Sequence, residues 1–419
     1  MQSKNNQAAG FFWNMVGSAC YSFSSILYLM VVTRICGAEE AGFFSLAYAT
    51  AQLLLTVGRY GMRTYQATDL KSAYSFLEYG FSRILTITLM VVLGAVYSMY
   101  MFSGKYIAVS LLVVCMKAID AVEDVYHGRL QQTYHVEQMG KSQAARNIYT
   151  TLCFVAVLAI KRDLLFTLYV SVISSLLLCI AINQGYLKRY ACVQAHEKKI
   201  RPDAVIRLLM DCTGLFIGTF LSLLLYNIPK YAMAGVLSAE YQTYYSILFM
   251  PSFVVTLLCE FVFKPTITTI AGYWFAQNMR RFTRSVVISL SIIVGCTFAV
   301  VLGGHLIGRR LLEILYGVDL SEYKLHFIVL LLGGGISASV YMIYNILIAI
   351  RKGGCIKTVY AAVAVISILI VRPMILRLGV MGAALNYLCS CSMLLACFSV
   401  ILLTICIRQL SLSRAVQAK

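Results

Sequence analysis

The stretch 106-YIAVSLLVVCMKAIDAVEDVYHGR-129 decides how the chain must fold. It opens on an unbroken apolar run and then takes in Lys117, Asp120, Glu123 and Asp124, with no helix breaker between them. At about 100° per residue, Lys117, Asp120 and Asp124 fall within about 60° of one another on a helix, with Glu123 at their flank. Moving a charge from water into hydrocarbon costs several kcal/mol, from ~3 upward. A membrane helix with this stripe must turn it away from lipid, against other helices or into water.

The rest of the chain supplies that membrane setting. Of 419 residues, 60% are hydrophobic and 12% charged, and the mean hydropathy is +0.80. A soluble domain carries about 25% charged residues. Apolar segments recur at 11–33, 42–58, 84–102, 106–126, 148–160, 164–182, 208–227, 244–263, 286–306, 325–349, 359–376 and 383–407. Most have the roughly 20 residues needed to cross a bilayer. The segment 148–160 is short and must extend into its flanks. Runs this continuous fit helices and not the alternating pattern of a membrane barrel. The expected fold is an all-α polytopic membrane protein with about 12 transmembrane helices. The first segment lacks a small-residue cleavage signature and reads as retained.

Charge sets the orientation. With a cytoplasmic N-terminus, the inner connectors hold 24 Lys and Arg against 10 outside, and Lys117 completes the 35. That bias predicts both termini in the cytoplasm, and it accounts for the net charge of +18 without nucleic acid. The most polar connector, 183–207, divides the segments six and six. The expected lobes are 1–200 and 201–419, each starting on the same side, as in a parallel repeat.

Other features mark faces and breaks. Asn14, Ser18, Tyr21, Ser25 and Tyr28 recur at helical spacing in the first segment, a polar face suited either to interhelical hydrogen bonds or to a hydrated lumen. Asp211 precedes Gly214, Gly218 and Ser222, a small-residue face expected to pack closely. Pro229 in 227-NIPKYAM-233 is expected to end its helix and present Lys230 at the outer mouth. Glu260 lies within the eighth segment, 333-GGGISAS-339 reads as a flexible polar stretch, and Arg372 stands beside Pro373.

Much chemistry is excluded. The 14 cysteines and five histidines show no metal-ligand spacing, so neither metal nor cofactor is expected. The fragment 139-MGKS-142 has His135 where a phosphate-binding loop needs glycine. No connector is much longer than about 25 residues, too short for a folded extramembrane domain. An enzyme built this way would have to do its chemistry inside the membrane or at its rim.

The stretches 32-VTRICGAEEAGFFSLAYATAQLLLTVGRYGMRTYQATDL-70, 127-HGRLQQTYHVEQMGKSQAAR-146 and 227-NIPKYAM-233 resemble the Wzx-type polysaccharide repeat-unit flippases, for O-antigen or capsule, of the multidrug/oligosaccharidyl-lipid/polysaccharide (MOP) exporter superfamily. Many members have proline where Ala38 stands here. The resemblance implies two six-helix lobes around a central cavity, in the bacterial cytoplasmic membrane. It implies a flippase that moves an undecaprenyl-diphosphate-linked oligosaccharide to the outer leaflet by alternating access, coupled to an ion gradient, for surface polysaccharide biosynthesis. The implied partners are that lipid-linked substrate, membrane lipids, and the polysaccharide polymerase and chain-length machinery. A diphosphate cannot cross bare hydrocarbon, and fixed cations would replace its water. Lys117, Arg34, Arg59, Arg63, Lys230 and Arg372 are candidate headgroup ligands, with Tyr21, Tyr28 and Asn14 for the sugars. Asp120, Asp124, Asp211 and Glu260 are candidates for charge balance or ion coupling. The rival readings are a multidrug/cation antiporter of the same superfamily and a membrane-embedded polysaccharide polymerase.

Overall fold

The computed structural model describes residues 2–69, 72–190 and 200–417. The side chains of 2–8, 254–265, 410 and 412–417 lie outside the described residues. The structure is all helical, with fourteen α-helices among the described residues. Six long helices come first, α1 (Gln2–Cys36), α2 (Ala38–Arg59), α4 (Phe76–Met101), α5 (Lys105–Gln132), α6 (Val136–Lys161) and α7 (Leu164–Tyr190), with a short α3 (Met62–Thr68) after α2. Six more follow: α8 (Pro202–Ala234), α9 (Ala239–Phe275), α10 (Met279–Gly303), α12 (Lys324–Ala349), α13 (Ile356–Leu378) and α14 (Val380–Gln417), with a short α11 (Arg309–Tyr316) after α10. Each long helix coincides with one of the apolar segments read from sequence, with 84–102 and 286–306 running slightly past the ends of α4 and α10. Among the described residues, ten of the twelve are long and apolar enough to cross a membrane; α5 carries the charged stripe, and part of α9 lies outside the described residues. This is a multi-pass membrane protein.

The helices outrun their apolar windows, for local reasons. Ser75 caps α4: its hydroxyl accepts from the Glu78 N–H, and the Glu78 carboxylate accepts from the Ser75 N–H. Such a capping box satisfies two backbone donors that the helix itself leaves unpaired. It starts α4 two turns before its apolar run, and so carries Arg83 into the bundle.

The chain forms two compact units, Met1–Phe220 and Leu221–Lys419. In the first, α5 packs against α2, α3, α4, α6 and α7, and α1 lies along α6. Most of α5 from Met116 to Leu130 is buried. The apolar surplus sits instead on outer helices, at Ile84, Val92 and Val96 of α4 and Ile173 and Leu177 of α7. Hydrophobic side chains outside and charges inside is the arrangement a bilayer selects.

In the second unit α12 is the hub, packed on α9, α10 and α14. The stretch 333–339 is regular helix inside α12, and not a flexible segment, because its glycines admit three neighbours at once. A Cβ at Gly333 would stand 2.5 Å from the Tyr387 ring, at Gly334 2.6 Å from the Ser252 carbonyl oxygen, and at Gly335 2.2 Å from the Thr297 side chain. Both hubs are the fourth long helix of their set. The second, third, fourth and sixth long helices pair alike in the two units, and the fifth lies on the sixth in both.

Two local expectations fail. Pro229 does not end α8, which continues to Ala234 through it. Membrane helices tolerate an internal proline; beyond it, in the last turn of α8, the Gln242 side chain donates to the Lys230 carbonyl at 2.7 Å. Gly218 does not form a close-packing face: nothing among the described residues stands within 4 Å of where its Cβ would be.

Candidate functional site

The charged stripe of α5 is the centre of a buried network of ion pairs and hydrogen bonds that joins all seven helices from α1 to α7. Lys117 is 3% exposed. Its ammonium is 3.1 Å from Asp120 Oδ2, donates to the Tyr21 hydroxyl at 3.4 Å, and lies over the Tyr21 and Tyr48 rings at 4.7 and 4.6 Å. The positive pole thus rests on two aromatic faces and one carboxylate, all of which favour a desolvated cation. Tyr21 in turn donates to Gln52 at 3.1 Å.

Four arginines complete the network. Arg146 of α6 reaches Asp120 Oδ1 at 2.6 Å and Glu123 Oε2 at 2.8 Å, and donates to Ser175 of α7 at 3.2 Å. Arg83 of α4 reaches Asp124 Oδ2 at 2.8 Å and the Gly58 carbonyl at 2.5 Å. Arg59 and Arg63 approach Asp124 Oδ1 at 3.7 and 3.6 Å. They flank a break in the chain at Tyr60 (φ 49°) and Gly61 (φ 69°), both left-handed, which ends α2 and starts α3. A side chain at Gly61 would also meet Leu215 of α8 at 2.8 Å, so glycine is needed twice over.

The charges do not balance. Five cations (Lys117, Arg59, Arg63, Arg83 and Arg146) surround three carboxylates (Asp120, Glu123 and Asp124), leaving a surplus of two. The surplus lies where it can be reached: the Arg59 and Arg63 side chains are 37% and 29% exposed, whereas those of Arg83 and Arg146 are both 3%.

The sequence-derived candidates divide as follows. Lys117, Arg59, Arg63, Tyr21, Asp120 and Asp124 are brought together. Tyr28 is buried close by on α1, accepting from Thr151 at 3.3 Å and packed on Phe154. Asn14 is half-buried earlier on α1. Arg34 is exposed in the last turn of α1, about 20 Å of helical rise beyond Tyr21, and stands apart from the cluster. Asp211 on α8 accepts from the Tyr65 and Tyr74 hydroxyls, both at 3.0 Å. Tyr74, in the connector before α4, has its phenol pushed up to about 12 by desolvation and by that carboxylate. In the second unit, the Lys230 ammonium lies 5.4 Å from the Phe249 ring and Arg372 is exposed on α13. The Glu260 side chain lies outside the described residues.

Sequence reasoning missed Arg83 and Arg146, taken there as basic residues of inner connectors, and gave Glu123 only a flanking place. The signal available was the shortness of segment 148–160: a helix extended backward from it takes Arg146 into the membrane.

No family model matches the chain, and no curated protein matches its sequence. Solved structures match over nearly its whole length. One is the lipid II flippase MurJ in an inward closed conformation, 15% identical over 96% of this chain and 92% of that chain, with a TM-score of 0.67. Another is an inward-facing multidrug resistance MATE family transporter of the MOP superfamily, 11% identical over 96% of each chain, TM-score 0.65. A third is a MOP superfamily transporter from Pyrococcus furiosus, described as having a binding pocket of reverse polarity, 12% identical over 97% and 96%, TM-score 0.57. The chain has the fold of these membrane transporters.

Proposed function

We propose that the chain is a flippase for a lipid-diphosphate-linked oligosaccharide, acting in a bacterial cytoplasmic membrane with both termini in the cytoplasm. One observation carries this reading: among the described residues, the buried network reaches the surface at a pair of part-exposed arginines backed by a surplus of two positive charges. A diphosphate diester carries two negative charges and needs donors in place of water. Arg59 and Arg63 would meet it, Lys117 would hold the field from behind, and Tyr21 and other hydroxyls of α1 would meet the sugars. The lipid tail need not leave the bilayer. Transport is by alternating access of the two lobes, coupled to an ion gradient, and the product would pass to a polysaccharide polymerase and its chain-length machinery. The lipid II flippase among the matching folds is consistent with a lipid-linked sugar as cargo.

The second reading, a multidrug/cation antiporter, draws on the MATE transporters with the same fold and on three carboxylates in the cluster. Each of those carboxylates already faces an arginine or a lysine, which leaves little negative field for a cationic drug.

The test is a leaflet assay in cells deleted for this protein. Accumulation of the lipid-linked sugar on the cytoplasmic face, reversed by the wild-type chain but not by an Arg59→Ala, Arg63→Ala double variant present at normal level, is the expected result. Normal translocation in the deletion, with drug sensitivity increased, would replace the flippase with the antiporter.

A further inference from the structure

Among the three carboxylates of the cluster, Asp120 has cations on both oxygens, Arg146 on Oδ1 and Lys117 on Oδ2. Asp124 likewise has Arg83 on one oxygen and Arg59 and Arg63 beside the other. Glu123 differs. Its Oε2 accepts from Arg146, but its Oε1 is buried without a hydrogen-bond partner among the described residues. One turn on, His127 Nε2 is also buried without a hydrogen-bond partner among the described residues, and the two atoms face each other at 3.7 Å. Glu123 is 3% exposed and His127 2%. A buried polar atom left unpaired costs about 1–3 kcal/mol, and here two such atoms point at one another.

We propose that Glu123 and His127 form a proton-binding site that sets the charge of the cluster and ties uptake of one proton to binding of an anionic headgroup. The proton comes from water and adds to the neutral imidazole. The imidazolium Nε2–H then donates to Glu123 Oε1, closing the gap toward the roughly 2.7–2.9 Å of a charge-assisted bond. No other bond changes, and the surplus of the cluster rises from two to three. The groups that face the pair come from every packed helix: Arg146 from α6, Arg63 from α3, Arg59 from α2, Cys179 from α7 and, through Asp124, Arg83 from α4; Lys117, Asp120 and Asp124 lie on α5 itself. The cations resist an added proton and the carboxylates favour it. An anion at Arg59 and Arg63 would cancel that resistance, so proton and anion reinforce each other, and by linkage each raises the affinity for the other.

The anion arm rests on the proposed function; the proton site rests on the first unit alone. The probe is a nucleoside diphosphate sugar, a diphosphate diester with no second phosphate ionisation near neutrality. Its binding to the purified full-length chain is followed by calorimetry in buffers of different ionisation enthalpy, which counts protons taken up. The wild-type chain should take up close to one proton per probe, with affinity rising as pH falls, by up to about tenfold per pH unit. Both His127→Gln and Glu123→Gln, checked for folding by size exclusion, should bind the probe with uptake abolished. Undiminished proton uptake in folded variants overturns the site and leaves the headgroup reading intact. If the wild-type chain binds no probe, the headgroup reading falls. The site is then decided by ¹⁵N-histidine NMR of the free protein: a His127 titration whose midpoint moves in Glu123→Gln supports it, and one that does not move overturns it.

Discussion

Within the charge network, two cations on the same carboxylate are not equivalent. If Lys117 is lost, Asp120 keeps Arg146 at 2.6 Å. If Arg146 is lost, Asp120 and Glu123 both lose their shortest contact. Removing one partner of a buried pair costs about 3–5 kcal/mol, because the other charge is stranded. Lys117→Ala should therefore leave protein level and detergent-solubilised melting temperature near wild type while abolishing surface polysaccharide. Arg146→Ala should reduce the folded protein itself, seen as a lower melting temperature. Near-normal folding of Arg146→Ala would show that the carboxylates find other partners. The α5 stripe was legible in sequence because four charges at helical spacing interrupt an apolar run. Their partners were not, because Arg83 and Arg146 stand just outside the apolar windows of their own helices. Hydropathy locates where lipid begins, whereas capping and packing decide where a helix begins.

Single helices carry their own tests. The Ser75 cap positions the first two turns of α4, and with them Arg83. Ser75→Ala should cost about 1 kcal/mol and show as faster hydrogen exchange at residues 76–79, with a smaller change at Arg83. In α12, Gly334→Ala would drive a methyl group against the backbone of Ser252, 2.6 Å away. Backbone cannot turn aside as a side chain can, so the helices must part, at about 1–3 kcal/mol. A melting temperature equal to wild type would refute that reading of α12. Sequence periodicity gave the existence of every long helix, but not the packing of 333–339 or the passage of α8 through Pro229. Glycine and proline leave the same trace in a sequence whether they loosen a helix or fit it to a neighbour, and only the neighbours distinguish the two.

For the molecule as a whole, the two sets of six helices share a pairing pattern that no visible sequence identity announced. An even number of crossings in each set, with the basic connectors on one side, predicts that reporters fused after Lys419 and inserted within 191–199 are both active on the cytoplasmic side. A reporter at Arg162 should be active outside, and the reverse pattern would invert every assignment of inner and outer made above. The matching pattern also makes a contrast visible. The hub of the first unit is held by ion pairs, that of the second by three glycines against an aromatic ring, a threonine and a turn of backbone. Charges can be exchanged, moved by a turn or neutralised and still leave a packed helix, so the first hub offers many solutions to the same fold. A surface fitted at van der Waals contact offers few. Over evolutionary time, adaptation to a new cargo would therefore be expected to accumulate around α5, while α12 drifts little and keeps the shape on which such changes can be tried.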